Sequence, residues 1–215
     1  MFSCGLVLHY IALKKNPYKS QTRRGTVDNI TKGRRNKWDP SLCPENVHVL
    51  ESVLKKDKKK RSTAIELLGY PFFWSNDKKI NFLKAVSDEK TECHGFDKRL
   101  QDRFKNIVKC DSWDMKQPNR VQMPKILEAM ISMAEEKDLP VSYDTKSVRR
   151  LLRLIRNAHA HINDLEEFNE EIGKLVRDHV FLKYFPDLVV EVFKAIKLLK
   201  WDEKKPEIRS AIKLH

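Results

Sequence analysis

Between Ser147 and Ile162 the chain reads SVRRLLRLIRNAHAHI, and this stretch leaves little choice of local structure. Val148, Leu151, Leu152, Ile155 and Ile162 recur at three, four and seven, the period of a helix that buries one stripe. Asp144 or Thr145 stands where a cap is needed, and no Gly or Pro interrupts the run. Turning at about 100° per residue, His159 falls near the middle of the stripe. Asn157, His161 and Arg150 gather on the opposite side, within roughly 40° of one another. His159 is therefore expected to pack, with one ring nitrogen satisfied. His161 is expected to face solvent one turn beyond Asn157, so that an amide and an imidazole reach one ligand.

The rest of the chain supports an all-α reading. No run of clean period-two alternation marks a strand. Only 6 glycines interrupt 215 residues that are 40% hydrophobic and 34% charged. A net charge of +13 attracts polyanions, whether RNA, DNA or an anionic membrane surface, although a lysine-rich solvated surface would read the same way. Cys4, Cys43, Cys93 and Cys110 stand far apart with no C-x-x-C pair, which fits a reducing, cytoplasmic compartment and argues against a zinc site. The opening segment MFSCGLVLHYIAL is apolar for only about a dozen residues, too short to span a bilayer. Without a basic start or a cleavage site it reads as a core helix of a larger domain rather than a signal peptide.

Pro17 and Gly25 place a loop after that helix, and VDNITKG is a short helix stopped by Gly33. Asn46 to Lys55 is helical and leads into the basic run KKDKKKR, read as a solvated face. Thr63-Ala64-Ile65-Glu66 is a capping box for a short helix ending at Gly69. The aromatic YPFFW follows as a packing anchor. Ser75 caps a helix to Asp88, and Phe96 to Lys109 is another, with Leu100, Phe104, Ile107 and Val108 inward. A loop carries Trp113, and Pro124 opens a third helix. A helical run covers 166–185, a further one follows Pro186, and the tail from Trp201 has weak helical character. There is no internal repeat.

The first third resembles the closing part of a protein-kinase large lobe. Phe2-Ser3-Cys4-Gly5 is similar to the end of the D-x-F-S-x-G segment, and Asn16-Pro17-Tyr18 to the N/H-P-F turn after it. Arg61-Ser62-Thr63-Ala64 with Tyr70-Pro71-Phe72-Phe73 resembles the close of the lobe. In that family the arginine matching Arg61 pairs with a glutamate of an A-P-E motif, which this chain lacks. The G-x-G-x-x-G loop, the V-A-I-K lysine, H-R-D and D-F-G are also absent, so the chain cannot position ATP or magnesium. It reads as a non-catalytic fragment over residues 1–74.

That lobe is joined directly to a helical segment carrying R-N-x-x-x-H. This order resembles the kinase-extension nuclease (KEN) module shared by ribonuclease L and the inositol-requiring sensor of the unfolded-protein response. Trp74-Ser75, Phe82-Leu83, Val86-Ser87-Asp88 and Ser147-Val148-Arg149 are similar to the sensor, and Phe185-Pro186-Asp187-Leu188 to ribonuclease L. The resemblance implies a KEN domain over 75–200, with 201–215 as a tail. It implies a metal-independent endoribonuclease that needs no cofactor. Its site falls on Tyr143, Arg156, Asn157 and His161, although the family's H-H pair is broken here as His159-Ala160-His161.

RNA carries its own nucleophile, the 2′-hydroxyl, which attacks the adjacent phosphorus while an acid protonates the departing 5′-oxygen. His161 is assigned as that acid, because an imidazole titrates near neutrality. Tyr143 is the candidate base or proton-positioning group, and it works as a base only if cations such as Arg149, Arg150 and Arg153 lower its pKa. Asn157 orients the phosphate or His161. Arg156 stabilises phosphorane charge, yet on an ideal wheel it lies about 140° from His161, so a structural salt bridge is the competing role. Tyr143 is otherwise a buried phenol, and Asn157 with His161 a surface pair. Trp113 is expected to anchor the core rather than stack on a base. Lys116, Arg120 and Lys125 are further candidates for phosphate contact.

The resemblance also implies cleavage of unpaired RNA to 2′,3′-cyclic phosphate ends, in RNA decay or unfolded-protein-response mRNA processing. The implied partners are RNA, a second copy in a homodimer, and the missing kinase lobe and sensor regions of a parent protein, with no membrane contact by this chain. The implied location is the cytoplasm, on the cytosolic face of the endoplasmic reticulum if the parent is anchored. The competing reading is a non-catalytic basic helical module that binds RNA or a partner kinase domain.

Overall fold

The computed structural model describes residues 1–89, 94–118, 120–136 and 142–213. These residues are helical with no strand among them, and they form two compact units that meet in sequence between Phe73 and Trp74. Cys93 lies outside the described residues. No described helix is long and apolar enough to cross a membrane.

The first unit contains α1 (Phe2–Leu13), α2 (Arg23–Lys32), α3 (Pro44–Val53) and α4 (Ala64–Leu68), with 3₁₀ turns at Lys58–Lys60 and Pro71–Phe73. Tyr18, Val49, Leu50, Val53, Leu54 and Leu67 form its core. Gly5 lets α1 lie close on α3, since a Cβ there would sit 2.6 Å from Val53 Cγ2. The Thr63–Glu66 capping box forms and opens α4. Helix α2 starts four residues earlier than the sequence suggested, because the Thr22 side chain caps it by accepting from Gly25 N. Gly25 is thus a helix residue, and Gly33 ends the helix in the left-handed region at φ 69°. Arg61 turns to carbonyl oxygens, donating to Lys55 O at 2.7 Å and Lys56 O at 3.1 Å, with its guanidinium over the Phe2 ring. Of α1, read from sequence as a core helix of a larger domain, Val7, Tyr10 and Ile11 are exposed within this unit.

The second unit begins with α5 (Asn76–Asp88), capped by Ser75. The expected helix over 96–109 is two, α6 (His94–Asp102) and α7 (Phe104–Val108). The chain tightens between them, with Arg103 N donating to Leu100 O and Arg103 at φ −98°, ψ 3°. Leu100, Phe104, Ile107 and Val108 are nonetheless buried, because the apolar spacing survives the kink. Next come α8 (Met123–Glu136) and α9 (Val148–Ala160). The expected helical run over 166–185 divides into α10 (Ile162–Phe168), α11 (Glu170–Arg177) and α12 (Val180–Tyr184). Extended backbone at Asn169 and a left-handed His179 make the breaks. Asn169 then caps α11 by accepting from Ile172 N at 3.1 Å.

After α13 (Leu188–Leu199) the tail folds more fully than its composition suggested, as α14 (Trp201–Lys204) and α15 (Pro206–Ile212). Trp201 stacks on Phe96 at 4.4 Å between ring centroids, and Ile208 and Ile212 are buried where α15 meets α5. Three well-spaced apolar residues suffice to dock two short helices once a surface exists to receive them. Trp74, Phe82 and Phe193 form an edge-to-face cluster in the same core.

Candidate active site

Helix α9 carries the site, and its seating starts with its apolar stripe. Val148, Leu151, Leu152, Leu154, Ile155 and Ala158 are buried against α5, α6, α8 and α11. Burying a large aliphatic side chain is worth about 1.5–3 kcal/mol, so this stripe fixes the helix's rotation. Ile162 lies beyond the helix end and is half-buried. The cap is Ser147, whose side chain accepts from Arg150 N, rather than Asp144 or Thr145. Asp144 is engaged earlier, its carboxylate accepting from Lys146 N at 3.0 Å to turn the chain into the helix.

The strand of chain before α9 is held from below. Trp113 is fully buried, its indole N–H donating to Ser147 O at 3.1 Å and its backbone N–H to Thr145 O at 3.0 Å. Gln101 donates to Lys146 O at 2.7 Å. Trp113 is therefore a core anchor, out of reach of a base. Arg120 also leaves the surface. It is 3% exposed, donates to Val108 O at 2.6 Å and to Cys110 Sγ at 3.2 Å, and lies over the Phe185 ring. A phosphate cannot reach it, which corrects its assignment as a phosphate contact; Lys116 and Lys125 remain exposed.

Three of the four expected site residues are joined by hydrogen bonds. Arg156 Nε donates to Asp88 Oδ1 at 2.8 Å, at the end of α5. Arg156 Nη1 donates to Asn157 Oδ1 at 3.0 Å, and Asn157 Nδ2 donates to Tyr143 Oη at 3.0 Å. This chain fixes the amide's orientation. It also occupies the phenol oxygen as an acceptor and leaves the phenol O–H free to donate. Burial raises the Tyr143 pKa, outweighing the opposing pull of the Asn157 hydrogen bond and of Arg153 and Arg156. The cations therefore do not make this phenol a base, and the condition on which a base role depended is not met.

His161 stands at the junction of α9 and α10. Its backbone N–H donates to Asn157 O at 3.0 Å, which preserves the one-turn offset although the helix breaks at that residue. Its side chain is 50% exposed, and Nδ1 lies 3.4 Å from Asp164 Oδ2. That contact holds one ring nitrogen toward α10 and leaves Nε2 for a ligand. The imidazole makes no hydrogen bond to Tyr143, Asn157 or Arg156 among the described residues. Arg156 is drawn to Asp88 and the amide instead, so the ion pair and the site share one side chain. Asp88 and Asp164 are the two groups that sequence reasoning left without a role. Asp164 was accessible as the residue three beyond His161, whereas Asp88 lies 68 residues before Arg156.

His159 packs inward beside His179 and Phe181, with ring centroids 6.2 Å and 6.1 Å away. Its Nε2 is buried without a hydrogen-bond partner. Burial, reinforced by His179, lowers its pKa to about 4. It is held neutral.

An open cavity of about 340 Å³ includes the amide in its lining, with Ser87, Asp88, Glu89, Arg149, Arg150, Arg153 and Arg156 around Asn157. Every side chain lining it is polar or charged, which suits a phosphodiester. Among the described residues no group of three His, Cys, Asp or Glu side chains is arranged to hold a metal.

Comparison with known proteins places this geometry in context. Residues 79–208 match the model of the family described as ribonuclease 2-5A. An Arabidopsis thaliana protein named inactive serine/threonine-protein kinase/endoribonuclease IRE1-like is 29% identical over 92% of this chain and 37% of its own length. Serine/threonine-protein kinase/endoribonuclease IRE1a of the same plant is 29% identical over 92% of this chain and 23% of its own. The Caenorhabditis elegans serine/threonine-protein kinase/endoribonuclease ire-1 is 30% identical over 91% of this chain and 20% of its own. The chain thus spans between a fifth and two fifths of the length of these relatives.

Proposed function

The chain belongs to the ribonuclease 2-5A family, and from that membership we propose that it is an endoribonuclease acting on unpaired RNA without a metal ion. The observation that carries the reading is the linked set Asp88, Arg156, Asn157 and Tyr143, with a half-exposed His161 one turn further on. The 2′-oxygen attacks the adjacent phosphorus and the bond from phosphorus to the 5′-oxygen breaks. His161 delivers a proton to the departing 5′-oxygen, and the 2′-hydroxyl proton leaves to water at the open face. The products are a 2′,3′-cyclic phosphate and a 5′-hydroxyl.

Tyr143 serves as a neutral donor to a phosphoryl oxygen, since its burial favours the protonated phenol. Asn157, aligned from both sides, fixes the position of that phenol. Arg156 holds the amide and adds positive charge near the phosphorane. Asp164 orients His161. Positioned acid catalysis of this kind typically contributes about 10² to 10⁴ in rate.

The setting proposed is RNA decay or mRNA processing in the unfolded-protein response, within a longer kinase-containing protein and on its cytosolic side. The relatives' names pair a kinase with an endoribonuclease, which supports a kinase domain as physical partner. Pairing with a second copy is proposed as the route to full activity.

The test uses EDTA-treated protein and single-stranded RNA, with end-group analysis of the products. Cyclic phosphate ends, lost in His161→Ala and retained in His159→Gln, are expected. RNA retained without scission in wild type would leave only the non-catalytic binding module. Specific activity should also rise with protein concentration from nanomolar to micromolar, and a flat profile would remove the pairing requirement.

A further inference from the structure

Four arginines line the cavity beside Asn157, and their commitments differ. Arg149 is spent on carbonyls, donating to Val86 O at 3.2 Å and Glu89 O at 2.5 Å. Arg156 is spent on Asp88 and Asn157. The cavity's carboxylates are also occupied, Asp88 by Arg156 and Glu89 by Lys205 at 3.0 Å. Arg150 and Arg153 remain. Both are exposed, and among the described residues neither guanidinium has a hydrogen-bond or ion-pair partner.

Keeping them there is costly for the helix. Like charges three residues apart repel. No acidic residue in the first turn of α9 offsets the positive end of its dipole. A polyanion lying along the helix would relieve both. The spacing suits one. Asn157, Arg153 and Arg150 climb α9 at intervals of about 6 Å and about 4.5 Å. Arginine stems span a few ångströms more, so successive phosphates of an extended strand fall within reach of successive side chains.

We propose that Arg153 and Arg150 form a two-phosphate track running from the reacting phosphodiester toward the N-terminus of α9. The first phosphate beyond the scissile one is held by Arg153 and the second by Arg150. This rests on the nuclease reading for the location of the scissile phosphate at Asn157 and His161. The ligand is the backbone of single-stranded RNA, contacted at phosphate oxygens and without regard to base. Substrates therefore need two flanking phosphates on one side of the cut, and shorter ones bind poorly.

The test is a thermodynamic cycle. A five-nucleotide RNA with a 2′-deoxy group at the cleavage position, which cannot be cut, is bound by anisotropy to wild type, Arg153→Gln, Arg150→Gln and the double variant. Each phosphate in turn is replaced by a neutral methylphosphonate. Neutralising Arg153 or its phosphate should each weaken binding roughly ten- to a hundredfold, the range for hydrogen bonds to charged groups. Both together should weaken it no further than either alone. Arg150 should couple in the same way to the next phosphate. The double variant should also flatten the dependence of log Kd on log salt by about 1.4, since single strands lose about 0.7 per phosphate contact. Losses that simply multiply, or an unchanged salt slope, overturn the track. Cleavage of the matching all-ribose RNA by wild type is scored separately. Cutting without coupling refutes the track and leaves the nuclease, whereas coupling without cutting refutes the nuclease and leaves the track.

Discussion

Gly173→Ala sets two known effects against each other at the helical hairpin that carries the backbone onward from His161. Gly173 is buried in α11 and faces α10. A Cβ there would stand 2.6 Å from Glu166 Cα and 2.8 Å from Glu166 N, both backbone atoms. Carbon contacts prefer about 3.5–4.0 Å, so α10 must retreat by about 1 Å. Alanine in place of glycine in a helix interior returns about 0.8–1 kcal/mol of propensity. Overpacking costs typically 1–3 kcal/mol, and a backbone cannot yield by changing rotamer as a side chain would. A clash with backbone belongs at the upper end of that range, about 2–3 kcal/mol, and should win, leaving a net loss of about 1–2 kcal/mol. In a chain of this size each kcal/mol moves Tm by about 2–4 °C, so a fall of about 2–8 °C is expected by circular dichroism. The bidentate Glu166–Arg177 pair, with contacts of 2.7 and 2.6 Å, ties the same hairpin and resists its opening. Helix α10 begins at Ile162, so the displacement also reaches His161, and a shift of about 1 Å is enough to cost about a hundredfold in turnover. A variant that melts higher than wild type would refute the reasoning. It would mean that propensity decides and that α10 and α11 do not approach this closely.

Further outcomes follow from the same geometry. Tyr143→Phe removes the free O–H and leaves the ring, so kcat should fall at least tenfold with a melting curve close to wild type; a fall in Tm alone would make the phenol merely structural. Trp113→Phe deletes the indole donor beneath α9 and leaves Ser147 O short of one partner, so urea unfolding should show a loss of about 1–3 kcal/mol. Arg120→Met replaces a buried guanidinium, two of whose nitrogens lack partners, with an apolar chain of similar length. Stability should be unchanged or higher, and the salt slope of RNA binding should match wild type. His159 is lowered to about 4 in the folded chain, so the unfolded chain takes up its proton first as pH falls below about 6.5. Its contribution is complete above that pH, declines between about 6.5 and 4, and is flat below. The upper bound is about 3 kcal/mol, reduced because the ring is only partly buried and because His179, Lys84 and Asp77 act on it too. His159→Gln should flatten the urea midpoint across that window, and an unchanged profile would show that His159 does not titrate there.

What sequence alone determined was whatever depends on neighbours along the chain. The apolar stripe of α9, the Thr63–Glu66 capping box, the Gly33 stop and the one-turn offset of His161 from Asn157 are all local, because a helix repeats every 3.6 residues whatever surrounds it. Tertiary structure decided what depends on distant partners. Arg156 is claimed by Asp88, and Arg120 is taken into the core against the Phe185 ring. Tyr143 stays protonated because packing removes its water, although the local arginines argued the reverse. Trp201, Ile208 and Ile212 become a docked pair of helices only because α5 and α6 offer them a surface. Periodicity tells which side of a helix turns inward. What waits on that side, and how much water it leaves behind, is set by chain dozens of residues away.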